Sequence, residues 1–205
     1  MVFVLEEPNR VLNKKNKIIT DYNSSAHFYD SRYKQIQEEK YSLILNGYDI
    51  NGKMVIDLGC GTGLLLEFID STNNQSSLKY TYVAVDISFN MLLKLKNKTL
   101  KSNREKFINL LLSDAENLPF RENTFNCIFS ITLFQNIPNI EKGIYELLRV
   151  STQKCDLKFS ILKKEIKLQT LLALLEPMMR DLEIIDKEHI EDIIIQGSII
   201  KKALD

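Results

Sequence analysis

The segment Val55-Ile56-Asp57-Leu58-Gly59-Cys60-Gly61-Thr62-Gly63 constrains this chain more than any other. A short apolar run ends in an acid and then breaks into three alternate glycines. Glycine lets the backbone turn sharply after a strand, and lets a ligand approach with no Cβ in the way. The helix expected from Leu64 would point its first N–H groups at that ligand. The spacing separates two ligand classes. A dinucleotide fingerprint, G-x-G-x-x-G, carries an acid about 20 residues further on. It also needs its third glycine at position 64, which is leucine here. In this chain the next strand ends in Asp86, a longer gap, and Asp57 precedes the first glycine. Asp57 would repel a pyrophosphate and attract an ammonium group.

Around this loop, short apolar runs alternate with helical patterns. Strands are expected at 54–57, 80–85, 107–112, 126–132 and 157–162, with helices at 64–69, 90–100, 140–150 and 164–175. Two late strands, 182–185 and 193–200, leave no room for a helix between them and should form a hairpin. The expected fold is α/β, a Rossmann-like sheet of seven mostly parallel strands with helices on both faces and a C-terminal antiparallel hairpin. Positions 1–50 should form an arm and lid helix of the domain built by positions 51–205. The stretch 1–22 carries little periodicity and reads as a loosely ordered arm. Positions 24–45 read as one or two amphipathic helices through Phe28, Tyr29, Tyr33, Ile36, Tyr41, Leu43 and Ile44.

Composition narrows the class. The chain has 205 residues. A domain of that size hides roughly 70% of its unfolded surface, so it needs neither disulfides nor a structural metal. Lys and Arg balance Asp and Glu, 27 against 27, which argues against binding nucleic acid by bulk positive charge. Cys60, Cys127 and Cys155 are widely separated in apolar runs, as buried thiols in a reducing compartment would be. No Cys-x-x-Cys or His-x-x-x-His spacing suggests a metal site. A membrane span needs an apolar run of roughly 20 residues, and none here approaches it. The start is too short and acidic for a signal peptide. A cytoplasmic location is expected.

Four ordered segments carry a resemblance. They are the glycine loop, Tyr82-Val-Ala-Val-Asp86-Ile87-Ser88 with Met91, Leu112-Ser113-Asp114-Ala115-Glu116-Asn117-Leu118-Pro119-Phe120, and Phe125-Asn-Cys-Ile-Phe-Ser130 with the later Leu147-Leu-Arg-Val150. Together they resemble the class I S-adenosylmethionine-dependent methyltransferases, nearest the type 11 or ubiquinone/menaquinone-biosynthesis-like group. The resemblance implies S-adenosyl-L-methionine as cofactor and transfer of its methyl group to an acceptor. It implies that Asp86 holds the ribose hydroxyls and Asp57 the methionine ammonium. Gly59, Cys60, Gly61, Gly63 and Ser130 would line the cofactor. Ile87 and Met91 would pack on the adenine, Asp114 would accept from its amino group, and the Ala115 N–H would meet a ring nitrogen. Each has a plainer reading: Asp86 as a helix cap, Asp57 and Asp114 as loop acids, Gly63 as helix packing, Met91 as core.

Methyl transfer from a sulfonium mainly requires alignment and exclusion of water, so no catalytic dyad is needed. Candidates beside the acceptor are Gln135 and Asn136 after the fourth strand, and His27 and Tyr29 on the lid. The same residues could serve as helix caps or packing. The Asn/Asp-Pro-Pro-Tyr/Phe segment of many family enzymes that modify nitrogen is absent after that strand. Lys94, Lys96, Lys98, Lys101, Arg104 and Lys106 form a solvated face or a local phosphate patch for RNA. The third strand, Phe107-Ile108-Asn109-Leu110-Leu111-Leu112, is an apolar edge without blocking lysines or prolines. Some family members receive a small activator subunit at that edge, and such a subunit or dimerisation is one expectation. The other readings kept open are a non-catalytic scaffold that binds the cofactor, and, further off, a nicotinamide oxidoreductase.

Overall fold

The structure, a computed structural model, describes residues 8–72, 79–102, 108–164 and 168–201. Along the chain run α1 (Pro8–Ser25), α2 (Tyr29–Ile44), β1 (Met54–Leu58), α3 (Leu64–Thr72), β2 (Thr81–Asp86), α4 (Phe89–Lys101) and β3 (Ile108–Leu112). Then follow β4 (Phe125–Ile131), α5 (Ile140–Val150), β5 (Ser151–Leu162), α6 (Leu168–Leu175), β6 (Met179–Asp186) and β7 (Asp192–Ile200). Alternation along the strands divides the interior. Val55, Tyr82 and Cys127 face one core, and their neighbours Ile56, Val83 and Ile128 face the other. Strands buried on both faces need helices on both faces. α2, α3 and α4 cover the first face through Ile44, Leu65 and Leu95, and α5 and α6 cover the second through Leu147 and Leu171.

The seven strands lie in the order β3-β2-β1-β4-β5-β7-β6. The first five are parallel, and β7 runs antiparallel to both β5 and β6, giving the expected hairpin. The strand order reverses between β1 and β4. Open sheets of this kind bind ligands beyond the carboxyl ends of their strands at such a reversal. The helices that frame this point start cleanly. Ser88 Oγ accepts from the Met91 N–H to cap α4, and Asn139 Oδ1 accepts from the Lys142 N–H to cap α5.

The N-terminal region differs from its expectation. Residues 8–25 form a full helix, although their apolar content is low. Contacts to the sheet end supply what propensity lacks. Asn23 Oδ1 accepts from Ser88 Oγ and the Asn90 N–H, and Lys15 pairs with Asp114 and Glu116. The chain turns at residues 26–28, so 24–45 is not one helix. Phe28 and Ile36, read as part of an apolar stripe, are exposed; the buried face of α2 is Gln37, Lys40, Tyr41 and Ile44. β5 begins at Ser151, well before the expected 157, and residues 165–167 of the expected helix lie outside those described.

β3 is an edge strand that pairs only with β2 among the described residues, with Asn109 and Leu112 exposed. Phe107 lies outside the described residues, as do Arg104 and Lys106 of the basic run. Two lysines of that run are engaged: Lys94 and Lys98 lie 3.3 and 2.9 Å from Asp30 Oδ2, tying α2 to α4. All three cysteines are free and buried. Among the described residues, no helix is long and apolar enough to cross a membrane.

Candidate functional site

The three loop glycines all have left-handed φ, and each has a different reason. A Cβ on Gly63 would sit 2.3 Å from Leu95 Cδ1, so Gly63 serves the packing of the loop on α4. It lines neither pocket at the loop, so the packing reading fits it and the cofactor contact does not. A Cβ on Gly59 would meet Leu133, whereas one on Gly61 would meet nothing within 4 Å. Gly61 therefore faces open space. The loop uses its own donors internally. The N–H groups of Gly59 and Cys60 donate to the Val85 carbonyl at 2.8 and 3.0 Å, and that of Gly61 donates to Asp86 Oδ2 at 2.8 Å.

The main pocket has a volume of about 760 Å³ including its open mouth. One wall brings together Gly59, Gly61, Asp86, Ile87, Met91, Asp114 and Ala115, all named above from the sequence. Burial pushes the Asp86 carboxyl upward, and the N–H groups of Ser88, Gly61 and Ile87 oppose that shift. These N–H partners leave room for a further donor, since a carboxylate offers about four lone-pair sites. Asp114 accepts from the Glu116 N–H through Oδ1 and pairs with Lys15 through Oδ2. Burial alone would lower the Lys15 pKa, yet Asp114 and Glu116 raise it above its ordinary value.

The opposite wall comes from α1, the start of α2 and the end of β4. Ile18, Tyr22, Tyr29, Ile131, Leu133, Ile137 and Pro138 make it largely apolar. Asn136 lines it and donates to the Tyr22 hydroxyl at 2.7 Å. Burial raises the phenols of Tyr22 and Tyr29, so both stay protonated at neutral pH. A second, smaller pocket adjoins at Gly59 and Gly61, where Asp57, Cys60, Thr62, Gln37 and Tyr41 meet. Asp57 is buried and accepts from the Tyr82 hydroxyl at 2.7 Å. Burial pushes its carboxyl up to about 7 against the Tyr82 hydrogen bond, and the charge of Asp86 adds to the rise. Burial likewise keeps the Cys60 thiol protonated.

Besides Gly63, three expected residues fall elsewhere. Ser130 is fully buried and lines neither pocket. Its neighbour Ile131 lines both, so alternation along β4 turns Ser130 to the other face. His27 is exposed in the turn after α1, edge-on to Phe28 at 4.6 Å, and lines neither pocket. Gln135 folds back, its Nε2 donating to the Thr132 carbonyl at 2.6 Å. Conversely, Lys15, Tyr22 and Gln37 reach the pockets unforeseen. Lys15, Ile18 and Tyr22 stand at i, i+3 and i+7, and that helical spacing is the signal that could have found the first two.

The methyltransferase-domain family matches residues 56–154, the segment that runs from β1 into β5 and carries every acid lining the two pockets. Residues 56–154 thus form a methyltransferase domain of the class I S-adenosylmethionine-dependent kind. Demethylmenaquinone methyltransferase of Desulfitobacterium hafniense is 34% identical over 100 residues, covering 48% of this chain and 38% of that protein. Malonyl-[acyl-carrier protein] O-methyltransferase of Hamiltonella defensa is 28% identical over 148 residues, covering 72% of this chain and 53% of that protein. The chain thus spans about half or less of these relatives' length. In fold, the chain resembles a putative S-adenosyl-L-methionine-dependent methyltransferase from Methanococcus maripaludis, with a TM-score of 0.69 and full coverage of both chains at 15% identity. It also resembles magnesium protoporphyrin IX methyltransferase from Synechocystis, with a TM-score of 0.70 at 13% identity, covering 98% of this chain and 100% of that one.

The family's cofactor suits the residues present. A cradle open at Gly61, acids at Asp57, Asp86 and Asp114, and loop N–H groups already engaged favour a ligand rich in donors. A pyrophosphate would find acids and no free N–H from Gly59, Cys60 or Gly61.

Proposed function

We propose that this chain transfers the methyl group of S-adenosylmethionine to a small acceptor with a largely apolar body, in the cytoplasm. The observation that carries the proposal is the pairing of the acid-lined cradle with an apolar wall across one cavity. The bound cofactor supplies an electrophilic methyl group on a sulfonium. Asp86 holds the ribose hydroxyls through the acceptor sites left beside Gly61 and Ser88. Asp114 and Ala115 receive the adenine, with Ile87 and Met91 packed on its ring, and Asp57 draws the ammonium. α1 closes the cavity through Ile18 and Tyr22 and keeps water from the reacting centre. Asn136, fixed by Tyr22, orients the acceptor. The phenols of Tyr22 and Tyr29 are held protonated and supply no base. Three buried free thiols support the reducing compartment.

Calorimetry with S-adenosylhomocysteine and with NAD tests the reading, followed by transfer of labelled methyl to metabolite, protein and RNA fractions. Binding of S-adenosylhomocysteine and label in the metabolite fraction are expected; binding of NAD alone would sink the proposal. Asp86→Ala should weaken S-adenosylhomocysteine binding about 10- to 150-fold, the equivalent of losing about 1.5–3 kcal/mol in hydrogen bonds to a charged group.

Asp57 makes that binding depend on pH. Its folded pKa of about 7 lies above its ordinary value, so the ligand-free chain loses stability as pH rises through that interval. An ammonium ligand prefers the ionised form and reverses this. Affinity for S-adenosylhomocysteine should therefore be about tenfold weaker at pH 6 than at pH 8, with a proton released on binding at pH 6. Equal affinities at the two pH values would remove Asp57 from the ammonium's side.

A further inference from the structure

Three buried side-chain atoms among the described residues lack any hydrogen-bond partner: Gln37 Oε1, Ser130 Oγ and Gln135 Oε1. Of their residues, only Gln37 lines one of the two pockets at the glycine loop. A buried carbonyl without a donor is costly in a ligand-free protein. It is tolerated where a ligand brings the missing donor. Gln37 sits on the buried face of α2, one turn before Tyr41, and shares its pocket with Asp57. Its side-chain oxygen is the end left without a partner.

The donors of the glycine loop are already engaged. The N–H groups of Gly59 and Cys60 are held by the Val85 carbonyl, and that of Gly61 by Asp86. The Thr62 hydroxyl is turned away to Asp30. Beside the Tyr29 and Tyr41 hydroxyls, the Asp57 carboxyl, whose one side-chain donor is Tyr82, and the orphan carbonyl of Gln37 face the pocket. Two acceptors in one pocket match a group carrying several N–H bonds and a positive charge.

We infer that Gln37 is a cofactor-binding residue, its side-chain carbonyl accepting from the methionine ammonium of S-adenosylmethionine opposite Asp57. This rests on the proposed cofactor and extends it, because it makes α2, outside the segment matched by the family, part of the cofactor site. Cofactor binding then draws α2 onto the glycine loop. The same helix is already tied there by Asp30 on Thr62 and Lys98.

The test uses the full chain and Gln37→Met, which keeps the volume and removes the acceptor. Binding is measured for S-adenosylhomocysteine, its deaminated analogue and its decarboxylated analogue. The wild type should lose affinity when the amine is deleted. Gln37→Met should bind S-adenosylhomocysteine and the decarboxylated analogue about 10- to 150-fold more weakly, yet bind the deaminated analogue as the wild type does. Without ligand the variant should melt no lower than the wild type, because it no longer buries an unpaired carbonyl; a merely structural glutamine would lower both melting point and affinity. Gln37→Glu, which keeps an acceptor, should retain binding at pH 8. An equal penalty for all three ligands, or one that vanishes with the carboxylate instead, would overturn the inference. A wild type that binds none of the three would instead refute the cofactor assignment beneath it.

Discussion

Lys40→Met should destabilise the chain by about 3–5 kcal/mol, the usual consequence of stripping one partner from a buried ion pair. Lys40 Nζ lies 3.1 Å from Asp192 Oδ1 and 2.6 Å from Thr132 Oγ1, and its side chain and that of Asp192 are 2% and 1% exposed. Burial pulls the Lys40 pKa down, and Asp192 opposes that pull. With methionine at 40, Asp192 keeps only the hydroxyls of Thr132 and Ser160, at 2.8 and 2.7 Å, for a buried charge. The double variant Lys40→Met, Asp192→Leu should recover much of the loss, since removing both charges spares the desolvation of each. Urea unfolding of the two variants checks this; a single variant within about 1 kcal/mol of the wild type would refute it. The effect reaches the pocket. Thr132 holds a left-handed φ of 55°, costly for a β-branched residue. It lines the acceptor wall while bonded to this network.

Gly63→Ala should cost about 2–5 kcal/mol, combining about 1–2 for a left-handed backbone with about 1–3 for overpacking. φ there is +81°, and the new methyl would press on Leu95 Cδ1, itself in the core under α4. Adding Leu95→Ala should relieve the clash but not the backbone strain, exchanging one defect for a cavity. Gly61→Ala offers the contrast. It meets no atom within 4 Å, so its stability cost should stay near the backbone share alone and its main effect should fall on ligand affinity. Thermal melts with and without S-adenosylhomocysteine separate the two glycines. Equal losses of stability at both positions would refute the division.

The order of strands and helices was legible because each buried strand is a short apolar run bounded by turns, and each covering helix keeps its period. The acids at Asp57, Asp86 and Asp114 were legible for the same reason, since an acid closing an apolar run has little use in a core. α1 was not. Its residues are mostly polar, and its place comes from Lys15 on Asp114 and Asn23 on Ser88, contacts between positions far apart in the chain. Gln37 and Lys40 were hidden by a rule that usually holds, that the buried stripe of a helix is apolar; here Ile36 is outside and both polar residues are within. Ser130 and His27 went the other way. Family position placed Ser130 at the cofactor, but period-two alternation, already in the sequence, gives that side of β4 to Ile131.

The loop's own bonding has a consequence for redesign. Backbone N–H groups at such a turn commonly hold phosphates. Here ligand preference is settled by subtraction, because those donors are occupied by Val85 and Asp86 before any ligand arrives. Leu64 is therefore a symptom rather than the barrier to another cofactor class. Retargeting this scaffold to a phosphorylated ligand would begin by freeing those donors, and with them the geometry that joins β1 to β2.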